Sequence, residues 1–486
     1  MIGIIGAGYV GITLANYFAD TWDSVLCYEK DCDKRRRYVN GEEVTYEPNL
    51  QIKKHIDKGK ISFVDLDFLL DSCFTVFICV GTPSKENGEV DLTQIFDVAR
   101  EIKELKDNEF CSVRNIVIRS TVPPGTTRQF EKIINEEGRK VNVYFIPEFL
   151  REGSAVYDTA NPERMVLGTL NDIKSLPLFI KETFNFKNNI WNIMNAEEAE
   201  MVKYASNFML AAKLTCANQI ANICGTIKGV DAVKVMEAVS KDSRIGEKFL
   251  KIGIGYGGSC FPKDIDGLIY FAESRTSTPV LKAIQTFNNS QRLTVINMLE
   301  NAIGARKIFT NWRSDVNNWT TTGNISDVNN WTITSYLPET AEITDFAGKW
   351  VAVLGLAFKE NTDDTRKTPA KEILDYILAR NGNVKVYDPK AKISTMFNQE
   401  ELSYWGSRLI VENGAKFALK DTDAVIIVTP WDEFKALTPE DFHVLMKTPV
   451  VIDGRRIFDP KIMEEAGIDY YAIGYGRNRK EIPEID

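Results

Sequence analysis

Histidine is nearly absent. The 486 residues contain two, His55 and His443, and neither sits in a motif. That excludes a Ser-His-Asp triad, a histidine general base and a histidine-rich metal site. Acid–base chemistry must then come from Lys, Asp, Glu or an activated water. Cysteine is also sparse. Eight residues with no CxxC pair and no regular spacing make neither a disulfide scaffold nor a zinc site. Reduced thiols fit better, and no resident metal is expected. No window of 18 apolar residues reads as a membrane span. The start, Met1-Ile2-Gly3-Ile4-Ile5-Gly6, lacks a basic region and a cleavage site, so no signal peptide is expected. A cytoplasmic location follows, and the sequons at Asn318, Asn324 and Asn330 are read as chance. Positive charge is short too: 59 Lys plus Arg stand against 68 Asp plus Glu, a net charge of −9. That argues against a nucleic-acid footprint or a basic membrane-binding surface. Anionic substrates would have to be met by local cations.

Length is not lacking, and at roughly 150 residues per domain about three domains are expected. Apolar runs at 2–5, 25–28, 74–80, 115–118 and 141–146 end in turn residues such as Gly81-Thr82-Pro83 and Pro123-Pro124-Gly125. This predicts a parallel sheet with crossover helices. Residues 196–304 have helical period instead, with segments 196–224, 231–241, 264–274 and a long helix near 279–303. Strand–helix alternation returns from Lys349, with strands at 350–356, 384–387 and 424–428 and a helix at 369–380. The expected fold is α/β: two Rossmann-like parallel-sheet domains joined by a helical connector with a long central helix. The expected boundaries are 1–195, 196–304, an insertion or linker at 305–345, and 346–486. Within that insertion Ser314–Thr320 and Ser326–Thr332 carry the same seven residue types at a spacing of 12. Two copies are too few for a solenoid. A surface insertion or small hairpin is expected, with partner binding by the tryptophans as the alternative.

Gly6-Ala7-Gly8-Tyr9-Val10-Gly11 is GxGxxG between a strand and a helix. Its glycines allow a tight turn, close backbone approach to a pyrophosphate and helix–sheet packing. The helix start supplies N–H groups and positive dipole for phosphate. Glu29, 18 residues past the third glycine, is placed to accept hydrogen bonds from the adenosine ribose hydroxyls and to repel a 2′-phosphate. NAD is therefore expected over NADP, with Lys34 one turn later able to reach the adenosine end.

A second signal is Gly255-Tyr256-Gly257-Gly258-Ser259-Cys260-Phe261-Pro262-Lys263-Asp264. Three glycines let backbone crowd a ligand, and Pro262 suits the first turn of a helix. Cys260 would then sit at a helix N-terminus near Lys263, and both features lower a thiol pKa. The bland alternative is a buried structural cysteine. An NAD site with an activated cysteine suggests oxidation at the aldehyde level, through a hemithioacetal and a thioester.

These residues resemble the UDP-glucose dehydrogenase group of nucleotide-sugar dehydrogenases over nearly the whole chain. The likeness also rests on Tyr46-Glu47-Pro48, Val80-Gly81-Thr82-Pro83, Ser120-Thr121-Val122-Pro123, and Pro147-Glu148-Phe149-Leu150-Arg151-Glu152-Gly153. It continues in Leu354-Gly355-Leu356-Ala357-Phe358-Lys359, Asp364-Thr365-Arg366 and Asp453-Gly454-Arg455-Arg456. The resemblance implies a four-electron oxidation of a sugar C6 alcohol to a carboxylate with two NAD per substrate. Phe261 after the cysteine points to UDP-glucose, giving UDP-glucuronate. GDP-mannose or a UDP-N-acetylhexosamine is the alternative substrate.

Residue by residue, the resemblance makes Cys260 the nucleophile. Lys203 stabilises developing oxyanions and Asn207, four residues on along one helix face, adds a hydrogen bond. Asp264 helps take the alcohol proton through a water, and which of Lys203, Asp264 or the water is the formal base stays open. Glu148 and Thr121 position the water that hydrolyses the thioester. NAD contacts fall to Gly6, Gly8, Tyr9, Val10, Gly11, Glu29, Lys34, Val80, Gly81, Thr82, Pro83, Ser120, Thr121, Val122, Glu152, Lys263 and Arg366. Substrate contacts fall to Glu148, Phe149, Leu150, Arg151, Glu152, Lys203, Asn207, Lys251, Gly255, Tyr256, Gly257, Phe358, Lys359 and Arg455. Arg244 matches an arginine that crosses from a neighbouring subunit, which implies a homodimer or higher homo-oligomer. Glu29 stands where many relatives carry Asp, and Asn49 where Gly is common. A two-electron dehydrogenase of the 6-phosphogluconate type and a silent NAD-binding scaffold are the rival readings. Neither has a use for the full set around Cys260.

Overall fold

A computed structural model describes residues 1–42, 44–107, 110–173, 175–184, 186–187, 190–303, 306–311 and 340–477. The repeats at 314–320 and 326–332 lie outside the described residues. Two compact units emerge. The first comprises Met1–Met209, Cys260–Thr276 and Asn361–Asp363; the second comprises Leu210–Ser259, Ser277–Glu360 and Asp364–Asp486.

The first unit is built on an eight-stranded sheet. Its strands are β1 (Ile2–Ile5), β2 (Val25–Tyr28), β3 (Ile61–Phe63), β4 (Thr75–Ile78), β5 (Asn115–Ile118), β6 (Asn142–Phe145), β7 (Met165–Thr169) and β8 (Trp191–Asn195), in the order β3-β2-β1-β4-β5-β6-β7-β8. The first six are parallel, and β7 runs antiparallel to β6. The order 3-2-1-4-5-6 is the doubly wound dinucleotide-binding topology. All four residues of β1, β4 and β5 are buried, which is why they read as unbroken apolar runs. Strand order reverses at β1/β4, and ligands bind outside the carboxyl ends of strands at such a point.

The second unit repeats the plan. Strands β11 (Trp350–Leu354), β12 (Asn383–Tyr387), β13 (Leu409–Val411), β14 (Ala424–Ile427), β15 (Val450–Asp453) and β16 (Asp469–Ala472) form an all-parallel sheet ordered β13-β12-β11-β14-β15-β16. A separate two-stranded ribbon pairs β9 (Arg306–Asn311) antiparallel with β10 (Thr340–Asp345).

The helices of the connector are Ala196–Gly225, Ala232–Ser240, Phe261–Glu273, Pro279–Gln291 and Leu293–Ala302. The long helix expected near 279–303 is therefore two. Arg292 keeps helical angles, but its N–H turns to the carbonyl of Ser290, and its buried guanidinium donates to the carbonyls of Tyr256 and Lys367 and pairs with Glu372.

The helix Ala196–Gly225 is anchored in the first unit by Glu200. This buried carboxylate accepts from the N–H of Gly125 (2.6 Å), the N–H of Thr127 (2.7 Å) and the hydroxyl of Thr127 (2.6 Å). Burial, against those hydrogen bonds, pushes its pKa up to about 7. A folded-state pKa raised from 4.5 gives a stability contribution present below about pH 4.5 and lost as pH rises through 7, about 3 kcal/mol in all. Glu200→Gln is accordingly expected to flatten the fall of melting temperature between pH 4.5 and 7, as read by scanning calorimetry. An unchanged slope would refute the assignment.

Candidate active site

The dinucleotide loop follows β1. Gly6 has φ +91°, and a Cβ on Gly11 would lie 1.9 Å from the carbonyl oxygen of Gly6. Both therefore need to be glycine for the turn and the helix packing. Gly8 is different. Its φ of −70° suits any residue, and no atom lies within 4 Å of where its Cβ would be. Gly8 caps the helix Tyr9–Thr21, Val10 is in its first turn, and no side chain bonds the free N–H groups there. Nothing in the protein demands glycine at this position, and an open helix N-terminus is what a pyrophosphate requires. Gly8→Ala is expected to leave melting temperature within about a degree and to weaken NAD binding at least tenfold by titration calorimetry. Unchanged affinity would remove the phosphate from this loop.

Glu29 follows β2. Its Oε2 accepts from the N–H of Ala7 (3.0 Å) and from the ammonium of Lys34 (2.8 Å), so the structure brings Glu29 and Lys34 together beside the glycine loop. The loops after β4 and β5 are joined as well. The Thr82 hydroxyl donates to the carbonyl of Thr121 (2.9 Å), and the Ser120 hydroxyl to that of Val80 (2.7 Å). Gly81 faces the side-chain amide of Gln94, the Pro83 carbonyl accepts from Asp91, and Val122 is fully buried. All these residues lie at the carboxyl edge of the sheet beside the β1/β4 switch, where the donor set and open cradle fit a dinucleotide.

The segment after β6 supplies Glu148. Its Oε1 is 2.9 Å from the Lys203 ammonium and its Oε2 accepts from the N–H of Leu150 (3.0 Å). Both side chains are buried. The Phe149 ring has two cations near it, with Arg164 at 4.5 Å and Lys203 at 5.6 Å from its centroid. Burial alone would lower the Lys203 pKa, but Glu148, Cys260 and Asp264 outweigh it, and the net shift is upward, so Lys203 stays a cation. One turn along, the Asn207 amide donates to Asp264 Oδ2, while Lys263 lies 2.6 Å from Asp264 Oδ1. Arg151 pairs with Asp158 at the surface, and Glu152 accepts from the Thr362 hydroxyl (3.4 Å).

Cys260 caps the helix Phe261–Glu273, with Pro262 in its first turn. The expected lowering of the thiol pKa is corrected. Solvent reaches the residue, yet protein packed around the sulfur pushes the thiol up to about 11. Glu148, Asp264 and Glu152 push the same way, and Lys203 alone pulls it down. Lys263, expected to help, is held by Asp264. Burial of the sulfur, with three carboxylates acting the same way, outweighs one lysine.

The other candidates belong to the second unit. Gly255 and Gly258 have φ of +83°, and a Cβ on Gly258 would strike the Phe358 ring at 2.8 Å. A Cβ on Gly257 would lie 2.4 Å from the carbonyl oxygen of Lys367. Lys359 lies 5.6 Å from the Phe358 ring centroid. Arg455 is spent on backbone: Nε donates to Val428 O (2.6 Å), Nη1 to Gly255 O (3.3 Å) and Nη2 to Phe358 O (3.2 Å). Burial lowers its pKa to about 10. It thus clasps the Gly255 and Phe358 stretches, and with Lys251 it lines a cavity of about 270 Å³. Arg366 pairs with Asp364, and its carbonyl accepts from the N–H of Gly258. Arg244 pairs with Asp242 while its side chain is 87% exposed.

Sequence reading missed three contributors. Asn288 accepts from the N–H of Tyr256 (2.8 Å) and donates to its carbonyl (3.0 Å), fixing the Gly255–Gly257 stretch. Arg164 and Glu47 also went unassigned; Glu47 stood in a recognised tripeptide with no role attached. No local signal marks Asn288, because its partner is 32 residues away.

Among the described residues no helix is long and apolar enough to cross a membrane. The NAD binding domain of the UDP-glucose/GDP-mannose dehydrogenase family matches residues 1–183, its central domain residues 197–290 and its UDP binding domain residues 352–460. UDP-glucose 6-dehydrogenase TuaD of Bacillus subtilis is 35% identical over 97% of this chain and 93% of its own length. UDP-glucose 6-dehydrogenase of Pseudomonas aeruginosa is 32% identical over 98% and 97%. The solved UDP-glucose dehydrogenase of Pyrobaculum islandicum superposes with a TM-score of 0.77 at 30% identity, covering 98% of each chain. Three matched domains and full-length relatives, on two doubly wound sheets with an open dinucleotide cradle, establish that this chain is an NAD-dependent oxidoreductase belonging to the UDP-glucose/GDP-mannose dehydrogenase family.

Proposed function

We propose that the protein oxidises UDP-glucose to UDP-glucuronate through a covalent adduct on Cys260. The observation that carries this reading is the buried Lys203–Glu148 pair, whose charges, with those of Asp264 and Glu152, all act on the Cys260 thiol. A two-electron alcohol dehydrogenase needs no thiol there. Gly6–Gly11 and Glu29 would hold NAD, which would supply the acceptor for the hydride that leaves C6 in each of two oxidations. Asp264, held by Asn207 and Lys263, receives the alcohol proton through a water. Lys203 stabilises the oxyanion on C6. The Cys260 sulfur then bonds to the aldehyde carbon as its proton passes to the carbonyl oxygen. After the second oxidation C6 is a thioester. Glu148 takes a proton from a water placed with Thr121, the water oxygen bonds to C6, the C–S bond breaks and the thiol is restored.

UDP-glucose is favoured by Phe261 after the cysteine and by the names of the relatives at 32–35% identity. The domain boundaries at 195, 304 and 345 belong to the same reading, as does a cytoplasmic site, which eight cysteines outside any disulfide support. So does a homodimer. On the helix Ala196–Gly225, Cys216, Ile220 and Ile223 are exposed on one face while Ala217, Ala221 and Cys224 are buried in the second unit's core. An apolar stripe at this spacing suits a second copy, and Ile220→Asp is expected to halve the mass seen by light scattering.

The deciding experiment counts NADH formed per UDP-glucose consumed. Two supports the reading, and one would replace it by a two-electron dehydrogenase. None with UDP-glucose but turnover of GDP-mannose or a UDP-N-acetylhexosamine would reassign the substrate. No turnover on any would leave a scaffold.

A further inference from the structure

Glu47 lies between the helices Cys32–Val39 and Ile52–Asp57 and is 4% exposed. A carboxylate that deep needs partners, and it has three. Oε1 accepts from the N–H of Ala155 (2.6 Å), and Oε2 accepts from the N–H of Gly153 (2.6 Å) and from the Tyr9 hydroxyl. The Gly153 N–H also reaches the Tyr9 oxygen (3.2 Å). Burial, Glu47 and Glu152 push the Tyr9 hydroxyl far above its ordinary range, so it remains a donor at any working pH. One end of this cluster is the first residue of the helix that opens the dinucleotide cradle. The other is the end of the segment that carries Glu148 and Glu152. Both Glu47 oxygens and the Tyr9 hydroxyl are engaged within the cluster, which ties the two loops together. Gly153 is confined further, since a Cβ there would lie 2.8 Å from the carbonyl oxygen of Asn361.

We propose that Glu47 and Tyr9 are positioning residues that set the water-activating Glu148–Glu152 segment in register with the dinucleotide loop, so that cofactor binding tightens the hydrolytic half of the site. The inference rests on the reading of Glu148 as the thioester-hydrolysing base. Placement of a catalytic group to within a fraction of an ångström governs its rate, and a buried hydrogen bond to a charged group is worth about tenfold. In Glu47→Gln one acceptor becomes an NH₂ group facing a donor. Its pre-steady-state burst is expected to keep the full two NADH per site. Steady-state turnover falls about tenfold, and the enzyme accumulates a UDP-glucuronyl adduct visible by intact mass. Tyr9→Phe leaves Glu47 both amides, and a loss of about threefold is expected.

A purely structural role predicts another pattern, in which burst amplitude and turnover fall together as folded sites are lost. That outcome, or an unchanged turnover, overturns the proposal. A second readout does not depend on turnover. Addition of NADH to the wild-type protein is expected to slow hydrogen exchange in the 148–155 peptide at least threefold, and Tyr9→Phe to abolish that response. If the wild type produces no NADH from UDP-glucose, the functional reading fails on its own and the exchange experiment decides this one. No NADH-dependent protection in the wild type overturns it.

Discussion

Cys260→Ser is expected to lower steady-state NADH production by at least about 10³-fold, with no acid product in a single turnover, because a serine hydroxyl beside the same charges is far from ionised. Thermal stability should hardly move, since the change swaps one sulfur for an oxygen at a residue that solvent reaches. The raised thiol pKa sharpens the test. With a value near 11, roughly one thiol in a thousand is thiolate at pH 8. Alkylation of the free enzyme by iodoacetamide should therefore be slow and rise about tenfold per pH unit from 8 to 10. Glu148→Gln removes a charge that raises the pKa and should speed alkylation; Lys203→Met removes the charge that lowers it and should slow it. A plateau below pH 8 would show that the resting cysteine is already a thiolate. The resting state suits the chemistry. A protonated thiol resists oxidation and stray electrophiles, while the thiolate of a high-pKa thiol is intrinsically the stronger nucleophile once a carbonyl arrives.

How far such a site is legible in sequence depends on whether its cause is local. Gly6 and Gly11 are demanded by a turn a few residues long, so the fingerprint is readable. The same holds for β1, β4 and β5, whose four-residue apolar runs reflect burial on both faces. The three-residue strands β3 and β13 are too short to show a period, and the reversal of β7 against β6 leaves no mark in the apolar pattern. The Cys260 pKa failed for a related reason. The helix end and Lys263 are local and were counted. What outweighs them is burial of the sulfur together with the carboxylates of residues 148, 152 and 264, two of which lie more than a hundred positions away in the chain. Arg455 illustrates the converse. The resemblance makes it a substrate contact, and only the folded chain reveals that three carbonyls accept from its guanidinium.

The Lys203–Glu148 pair gives the largest stability effect. Lys203→Met should cost about 3–5 kcal/mol in the first unit, because it leaves a buried carboxylate with one N–H partner and no cation. It should also lower kcat about 10³-fold by removing the charge that meets the developing oxyanion. These two losses have different origins and can be separated. Adding Glu148→Gln to Lys203→Met removes the stranded charge, so most of the stability should return while activity stays absent. Lys203→Arg should rescue neither fully, since a planar guanidinium does not fit where one compact ammonium meets Glu148 beside the Phe149 ring. Denaturant unfolding and single-turnover kinetics on the two single variants and the double complete a thermodynamic cycle. If the double variant is as unstable as the sum of the singles, the pair contributes nothing as a pair. The activity loss in Lys203→Met would then be a consequence of disorder in the site rather than of the missing charge.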